Sequence, residues 1–258
     1  MIPLTAWRLS LWSVVLLAGW SAVCLSQPDT RPGWTASTTS RVKPEMREEF
    51  EASLRQIAAA YRKAGVPWFL TVQDFAGDAT EYTTSVPVMK FGDLDGPPIG
   101  LKMLGDREWG KLSRKMDRCY TAQTRKYAAP QHELEINKGD VPPGAYWLET
   151  TTLVAPGRME DYLTWLKNDY RPALEKAGVA HFVVSRPIFG SEAGEVVSSR
   201  MLKNLAEIDG GPVLTKALGE AGAAAVNARS IALVRASTTR IVLVRTDLSY
   251  SAAGSPAD

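Results

Sequence analysis

Lys63-Ala64-Gly65-Val66 occurs twice in this chain, returning as Lys176-Ala177-Gly178-Val179, 113 positions later. Repetition on that scale bears on architecture before local propensity is weighed. The match runs outward in both directions. Upstream, Val42-Lys43-Pro44 answers Val154-Ala155-Pro156, and Phe50 answers Tyr162. Downstream, Phe69 matches Phe182 and Gly77 matches Gly190. Asp95-Gly96-Pro97-Pro98 then matches Asp209-Gly210-Gly211-Pro212, and Lys102-Met103-Leu104-Gly105 matches Lys216-Ala217-Leu218-Gly219. The offset drifts from 112 through 113 to 114, so the pattern reads as one unit copied with single-residue insertions.

Each copy reads as strand, helix, strand, strand, helix, strand. The first strand is expected at 36–42 and at 146–154, where YWLETTTLV is aromatic and β-branched. Phe50, Leu54, Ile57, Ala58 and Tyr61 share one face of the first helix; Met159, Leu163, Leu166, Tyr170 and Leu174 do so in its counterpart. Trp165 falls off that stripe and is expected to mark a contact surface, or to be singly exposed. Pro172 should bend its helix, because it removes a backbone donor. Gly65 and Gly178 end these helices, since glycine takes the left-handed closing conformation without steric cost. The second strand follows at 66–72 and 179–185, and the third at 83–91 and 196–202. A second helix breaks at Gly105 and Gly219. The last strand is expected at 126–131 and 239–245, with Pro130 making the first of these weak or an edge.

This β-α-β-β-α-β order is the split βαβ, ferredoxin-like unit, an α+β fold. Both helices cover one side of a four-stranded sheet and leave its other side bare. Two copies can bury those bare sides against each other, sheet to sheet. The tandem units, with Lys-Ala-Gly-Val closing the first helix, resemble the dimeric α/β-barrel superfamily over about residues 36–250. NIPSNAP-like and antibiotic-biosynthesis-monooxygenase-like domains are the nearest kinds. The resemblance implies an intrachain α/β barrel of two tandem copies; it carries over no catalytic motif, and some related tandem folds hold haem.

The expected organisation is a signal peptide at 1–26, a linker at 27–35, repeats at 36–139 and 140–250, and a disordered tail at 251–258. The amino-terminal stretch carries a single charge, Arg8, before an apolar run from Leu11 to Leu25. Small residues around Cys24 suit cleavage after Cys24 or Ser26 and export to the periplasm or outside; a retained membrane anchor is the alternative. Cleavage would leave Cys119 alone, so no intrachain disulfide could form. Its spacing with Trp109, Leu112, Met116 and Tyr120 makes it a core residue rather than a nucleophile.

The formal charge of +2 forms no basic stripe, which argues against nucleic acid. There is no phosphate-binding loop, no dinucleotide fingerprint and no nucleophile elbow. No close pairing of His or Cys suggests a metal. The chain has two histidines, His132 and His181. His132 reads as ordinary surface. His181 alternates with Val183 and Ser185 on one side of its strand, and corresponds to Trp68 in the first copy. Trp147 and Glu149 alternate on a neighbouring strand. If these faced a barrel cavity, Trp68, Trp147, His181 and Ser185 would line it, and Arg186 at the strand end could select an acidic ligand. His181 would then be the candidate acid/base with Glu149 orienting it, or the only sensible axial ligand were haem bound. The plainer reading of His181 is a core or surface histidine with a satisfied hydrogen bond. No cofactor is expected. The leading expectation is an exported protein holding a small molecule; the alternative is a cofactor-poor, monooxygenase-like enzyme. A homodimer is a further expectation.

Overall fold

The computed structural model describes residues 31–139, 141–142 and 144–251, which fall in one compact unit. The expected signal segment, the start of the linker and all but the first residue of the tail lie outside the described residues. The N-terminal half runs β1 (Trp34–Val42), α1 (Arg47–Lys63), β2 (Trp68–Asp74), β3 (Glu81–Val88), α2 (Ile99–Asp117), β4 (Tyr120–Pro130) and β5 (Ile136–Asn137). The C-terminal half opens with β6 (Tyr146–Val154), then α3 (Met159–Trp165), a π-helical turn (Leu166–Tyr170) and α4 (Arg171–Lys176). It continues through β7 (His181–Phe189), β8 (Glu195–Leu202), α5 (Ala206–Asp209), α6 (Val213–Ile231), β9 (Val234–Val244) and β10 (Tyr250–Ser251).

The strands form one ten-stranded antiparallel sheet, not two sheets laid face to face. Around it the pairings run β2-β3-β1-β4-β7-β8-β6-β9, and β9 pairs again with β2. The halves therefore join edge to edge at two seams, β4 with β7 and β2 with β9. The face away from the helices carries a band of polar contacts beside the buried Val242 and Val244. Ser37 and Ser85 hydroxyls meet there at 2.8 Å, and those of Thr39 and Thr83 at 2.9 Å. Arg240 donates to Glu149 at 2.8 Å and to Glu81 at 2.5 Å, with Asp74 3.9 Å away. At the matching position of the other half, Lys126 reaches Glu195 at 2.6 Å. Both Arg240–Glu81 and Lys126–Glu195 cross between halves, one in each direction.

The apolar cores lie on the helix side, one per half, and each borrows from the other. Leu134 and Ile136 of the N-terminal half belong to the C-terminal core. Leu248 and Tyr250 of the C-terminal half belong to the N-terminal core. The two-residue strands explain the exchange: β5 pairs with β7, and β10 pairs with β2. Burying one such side chain is worth about 1.5–3 kcal/mol, so each borrowed pair is a substantial tie.

Several expectations need correction. Pro130 is not on an edge: β4 lies between β1 and β7, and Pro130 ends it opposite Ser185, where a missing donor costs least. Trp34 lies in β1 rather than in a linker. Trp165 is not a surface marker: it is buried, and its indole N–H donates to the Val226 carbonyl at 3.0 Å. The helix break ahead of Pro172 takes the form of the π turn, which absorbs one extra residue. Residues 159–176 are 7, 5 and 6 residues, 18 in all, where α1 has 17. That residue moves the offset between halves from 112 to 113. Both second helices break as expected, at Gly105 (φ 76°) and Gly219 (φ 72°), where a side chain would be strained.

Candidate functional site

Two cavities among the described residues lie between helices and sheet, on the side away from the ionic face. The larger, about 610 Å³, is in the N-terminal half. Its sheet wall is Thr38, Ser40, Thr84, Gln123, Arg125 and Tyr127; α1 contributes Phe50, Leu54, Ile57 and Tyr61; α2 contributes Trp109 and Met116. The smaller, about 390 Å³, is in the C-terminal half, lined by Thr150, Thr152, Tyr162, Trp165, Tyr170 and Ser237 among others.

The larger space has a local cause. The break at Gly105 folds α2 back so that the Trp109 ring lies on Gly100, where an added Cβ would sit 2.1 Å from the indole. In the C-terminal half the sizes are exchanged: Leu214 stands where Gly100 does, Ala223 where Trp109 does, and both are buried. Trp165 fills the space between helices there, while its counterpart, Ser53, only donates to the Glu49 carbonyl at 2.8 Å.

On the sheet wall, period-two alternation brings Gln123, Arg125 and Tyr127 to the cavity. Gln123 donates to Ser40 at 3.0 Å, and Arg125 Nε to Thr38 Oγ1 at 3.2 Å. Among the described residues no ion pair engages Arg125, and it is exposed. The anions nearby have other partners: Asp117 accepts from the Tyr120 hydroxyl at 2.6 Å, and Asp93 accepts from the Lys90 amide at 3.0 Å. Burial pushes the Tyr61 hydroxyl above its ordinary pKa, and Arg125 pulls against it. Burial and the bond to Asp117 push Tyr120 up to about 12. Both phenols therefore stay neutral at pH 7, and Arg125 and Lys102 are the lining cations that can meet an anion.

Neither cavity is lined by Trp68, Trp147, His181, Ser185, Glu149 or Arg186. The structure brings Trp147 and His181 together, with ring centroids 6.2 Å apart, and His181 is only 2% exposed. Glu149 is held by Arg240. Trp68 occupies in β2 the place that His181 occupies in β7: its register partner is Ser251, and that of His181 is Asn137. Ser185 lies opposite Pro130 and Val197. Arg186 points to the helix side, 4.0 Å from Glu160. His132 is half-buried between Glu135 at 3.0 Å and the Pro32 carbonyl at 3.2 Å. With no histidine at either cavity, neither space offers the axial imidazole considered for haem. Cys119 is fully buried, and its Sγ lies 3.1 Å from the Lys115 carbonyl, a core residue as expected.

Arg125, Gln123 and Tyr61 were not singled out as site residues by sequence reasoning. The signal was the alternation Gln123, Arg125, Tyr127, hidden because the strand was expected to start at 126 rather than at Tyr120.

No protein-family profile and no curated protein matches the chain. Solved structures do match over most of its length. An anthrone oxidase-like protein aligns with TM-score 0.63 at 14% identity, over 88% of this chain and 95% of its own. A monooxygenase-like protein from Lactobacillus acidophilus NCFM aligns with TM-score 0.60 at 10% identity, over 86% and 96%. Chlorite dismutase from Candidatus Nitrospira defluvii, in complex with imidazole, aligns with TM-score 0.51 at 11% identity, over 84% and 92%. At such identities the likeness is one of fold: α+β, ferredoxin-like, with a large antiparallel sheet.

Proposed function

We propose that the chain is a duplicated ferredoxin-like unit closed on itself as an intrachain α/β barrel, that it is exported, and that its N-terminal half binds a small amphipathic molecule carrying an acidic group. The duplication is supported by the paired glycine breaks, the exchanged ends and the π turn that accounts for one offset step. Export is supported by the apolar run from Leu11 to Leu25.

Binding is carried by one observation: among the described residues Arg125 has no ionic partner, and it lines a cavity of about 610 Å³. That volume falls within the roughly 300–1,000 Å³ typical of small-molecule sites. An acidic group meeting a guanidinium makes a charge-assisted hydrogen bond. The ligand's apolar body would lie on Leu54, Ile57, Trp109 and Met116, gaining about 0.8 kcal/mol per buried methylene. The C-terminal half has Thr239 at the position of Arg125, so this chemistry belongs to one half only.

Native mass spectrometry of the full chain purified from its own cells tests this. The expected result is an adduct of small-molecule mass on the wild type that is lost in Arg125→Ala. No adduct, or one indifferent to that substitution, overturns it.

A second reading is an oxygenase acting on a phenolic substrate in the same cavity, with Arg125 stabilising the phenolate. Two of the fold neighbours, the monooxygenase-like and anthrone oxidase-like proteins, favour it. His181 would not be the base there, because it lies outside the cavity. Oxygen consumption with anthrone, abolished in Arg125→Ala, is the result expected of that reading; no consumption above buffer removes it.

A further inference from the structure

The crossing from the third strand of each half to its second long helix, β3 to α2 and β8 to α6, is tied down differently in the two halves. In the C-terminal half Glu207 is the fixed point. Its carboxylate accepts from Arg200 at 2.7 Å and from the Lys203 amide at 3.0 Å, and its carbonyl accepts from the Lys216 ammonium at 2.8 Å. The Arg200 side chain is only 10% exposed, so this tie is internal.

At the matching places of the N-terminal half, Val86 replaces Arg200 and Asp93 replaces Glu207, while Lys102 keeps the place of Lys216. Asp93 accepts from the Lys90 amide at 3.0 Å. An aromatic contact holds this crossing instead: the Phe91 ring lies 5.1 Å from Trp34, 5.2 Å from Phe189 and 5.3 Å from Tyr127. Lys102 lies over Gly96 as Lys216 lies over Gly210: an added Cβ would meet the ammonium at 3.2 Å in one and 2.5 Å in the other. Among the described residues, however, the Lys102 ammonium makes no hydrogen bond or ion pair, and it lines the larger cavity. The lysine has been kept and its structural duty has not.

Arg125 lines the same space from β4, also without an ionic partner among the described residues. Taken as a sphere, that space is roughly 10 Å across, about one Debye length at 0.1 M salt, so both cations act on one ligand with little screening. Asp93 and Asp117 line it too, but each is engaged, by the Lys90 amide and the Tyr120 hydroxyl. The two cations are the groups left to pair.

We propose that Lys102 binds ligand, and that the molecule taken by the larger cavity carries two negative charges, set between Arg125 on the sheet and Lys102 on α2. This rests on the reading of that cavity as a ligand site. A charge-assisted hydrogen bond at each cation favours a dianion over a monoanion of the same shape.

The probes are 1-naphthyl phosphate and 1-naphthyl sulfate. They share a ring and a tetrahedral head, and differ in charge above the second phosphate ionisation, at about pH 6. Each is titrated into the full chain by calorimetry at pH 8. On the wild type the phosphate should bind about tenfold more tightly, the scale of one hydrogen bond to a charged group. That preference should close at pH 5, where the phosphate has lost its second charge. Lys102→Ala should bring the phosphate down to the level of the sulfate, and Arg125→Ala should weaken both. Equal affinities on the wild type at pH 8, or a preference that survives Lys102→Ala, overturns the dianion. Binding of neither probe, or of both unchanged in Arg125→Ala, removes the ligand site itself and this inference with it. A second measurement separates ligand from fold. Lys216→Ala should lower the urea midpoint by losing its bond to the Glu207 carbonyl, and Lys102→Ala should not. An equal drop in both would make Lys102 a structural residue and overturn its role.

Discussion

The space between helices and sheet is smaller in the C-terminal half, about 390 Å³, than in the N-terminal half, about 610 Å³. In the first, Trp165, Tyr162 and Tyr170 stack in series, with ring centroids 5.5 and 5.1 Å apart, and Leu214 packs with Ala223 in the same core. In the second, Ser53 replaces the indole, the large side chain has moved to Trp109, and Arg125 stands where the other half has Thr239. One backbone plan thus supports a more closely packed half and a roomier one, and a few side chains decide which.

The sharpest way to break this contrast is Trp165→Ala. It empties a buried indole site and strands the Val226 carbonyl, so a loss of about 3–5 kcal/mol is expected in denaturant unfolding. Ser53→Ala, at the matching position, should cost no more than about 1 kcal/mol. Equal losses would mean that the halves are packed alike.

Arg240→Ala comes next. It leaves Glu81, Glu149 and Asp74 facing one another without their shared cation. Arg240 is 27% exposed, so the loss should be about 2–3 kcal/mol, below the 3–5 of a fully buried pair. Lys126→Ala removes one ion pair from a more exposed cation and should cost less. Urea midpoints at pH 7 compare them.

Gly100→Leu should lose about 1–3 kcal/mol by driving a side chain into the Trp109 ring. Combined with Trp109→Ala it reproduces the Leu214/Ala223 arrangement, and the double variant should recover at least half of the loss. Additive losses would show that the exchanged sizes are unrelated.

The smallest effect is a pH dependence. Burial pushes the Asp74 carboxyl above its ordinary value, and Arg240 pulls against it. A carboxyl raised in the folded state holds its proton where the unfolded chain has released it. Its contribution to stability therefore falls as pH rises through that window, and is lost above the folded value. Asp74→Asn should raise Tm at pH 7 and leave it unchanged below about pH 4, the ordinary carboxylate range. A gain that persists at pH 3 would contradict the assignment.

Element order was legible because Lys-Ala-Gly-Val and the paired glycines recur in the same sequence order. Two things escaped the repeat. One was how the halves meet: helices on one side of each unit implied sheets packed by their bare faces, whereas the halves also join by backbone pairing at two edges, β4 with β7 and β2 with β9. The other was the location of the open space. His181 and Trp147 are chemically conspicuous but lie on the other side of the sheet from the larger cavity, whose Arg125 stands in a strand that begins at Tyr120, earlier than its sequence pattern implies. The two-residue strands β5 and β10 were too brief for any periodicity to register.

Those brief strands carry a lesson for assembly. Each half completes the other's core with its own last residues, so neither polypeptide stretch is a finished object when alone. A nick between 138 and 145 would yield two fragments, each missing a piece only its counterpart owns. Mixing them should restore the native state by complementation, and two intact molecules could trade the same pieces to form an entangled pair.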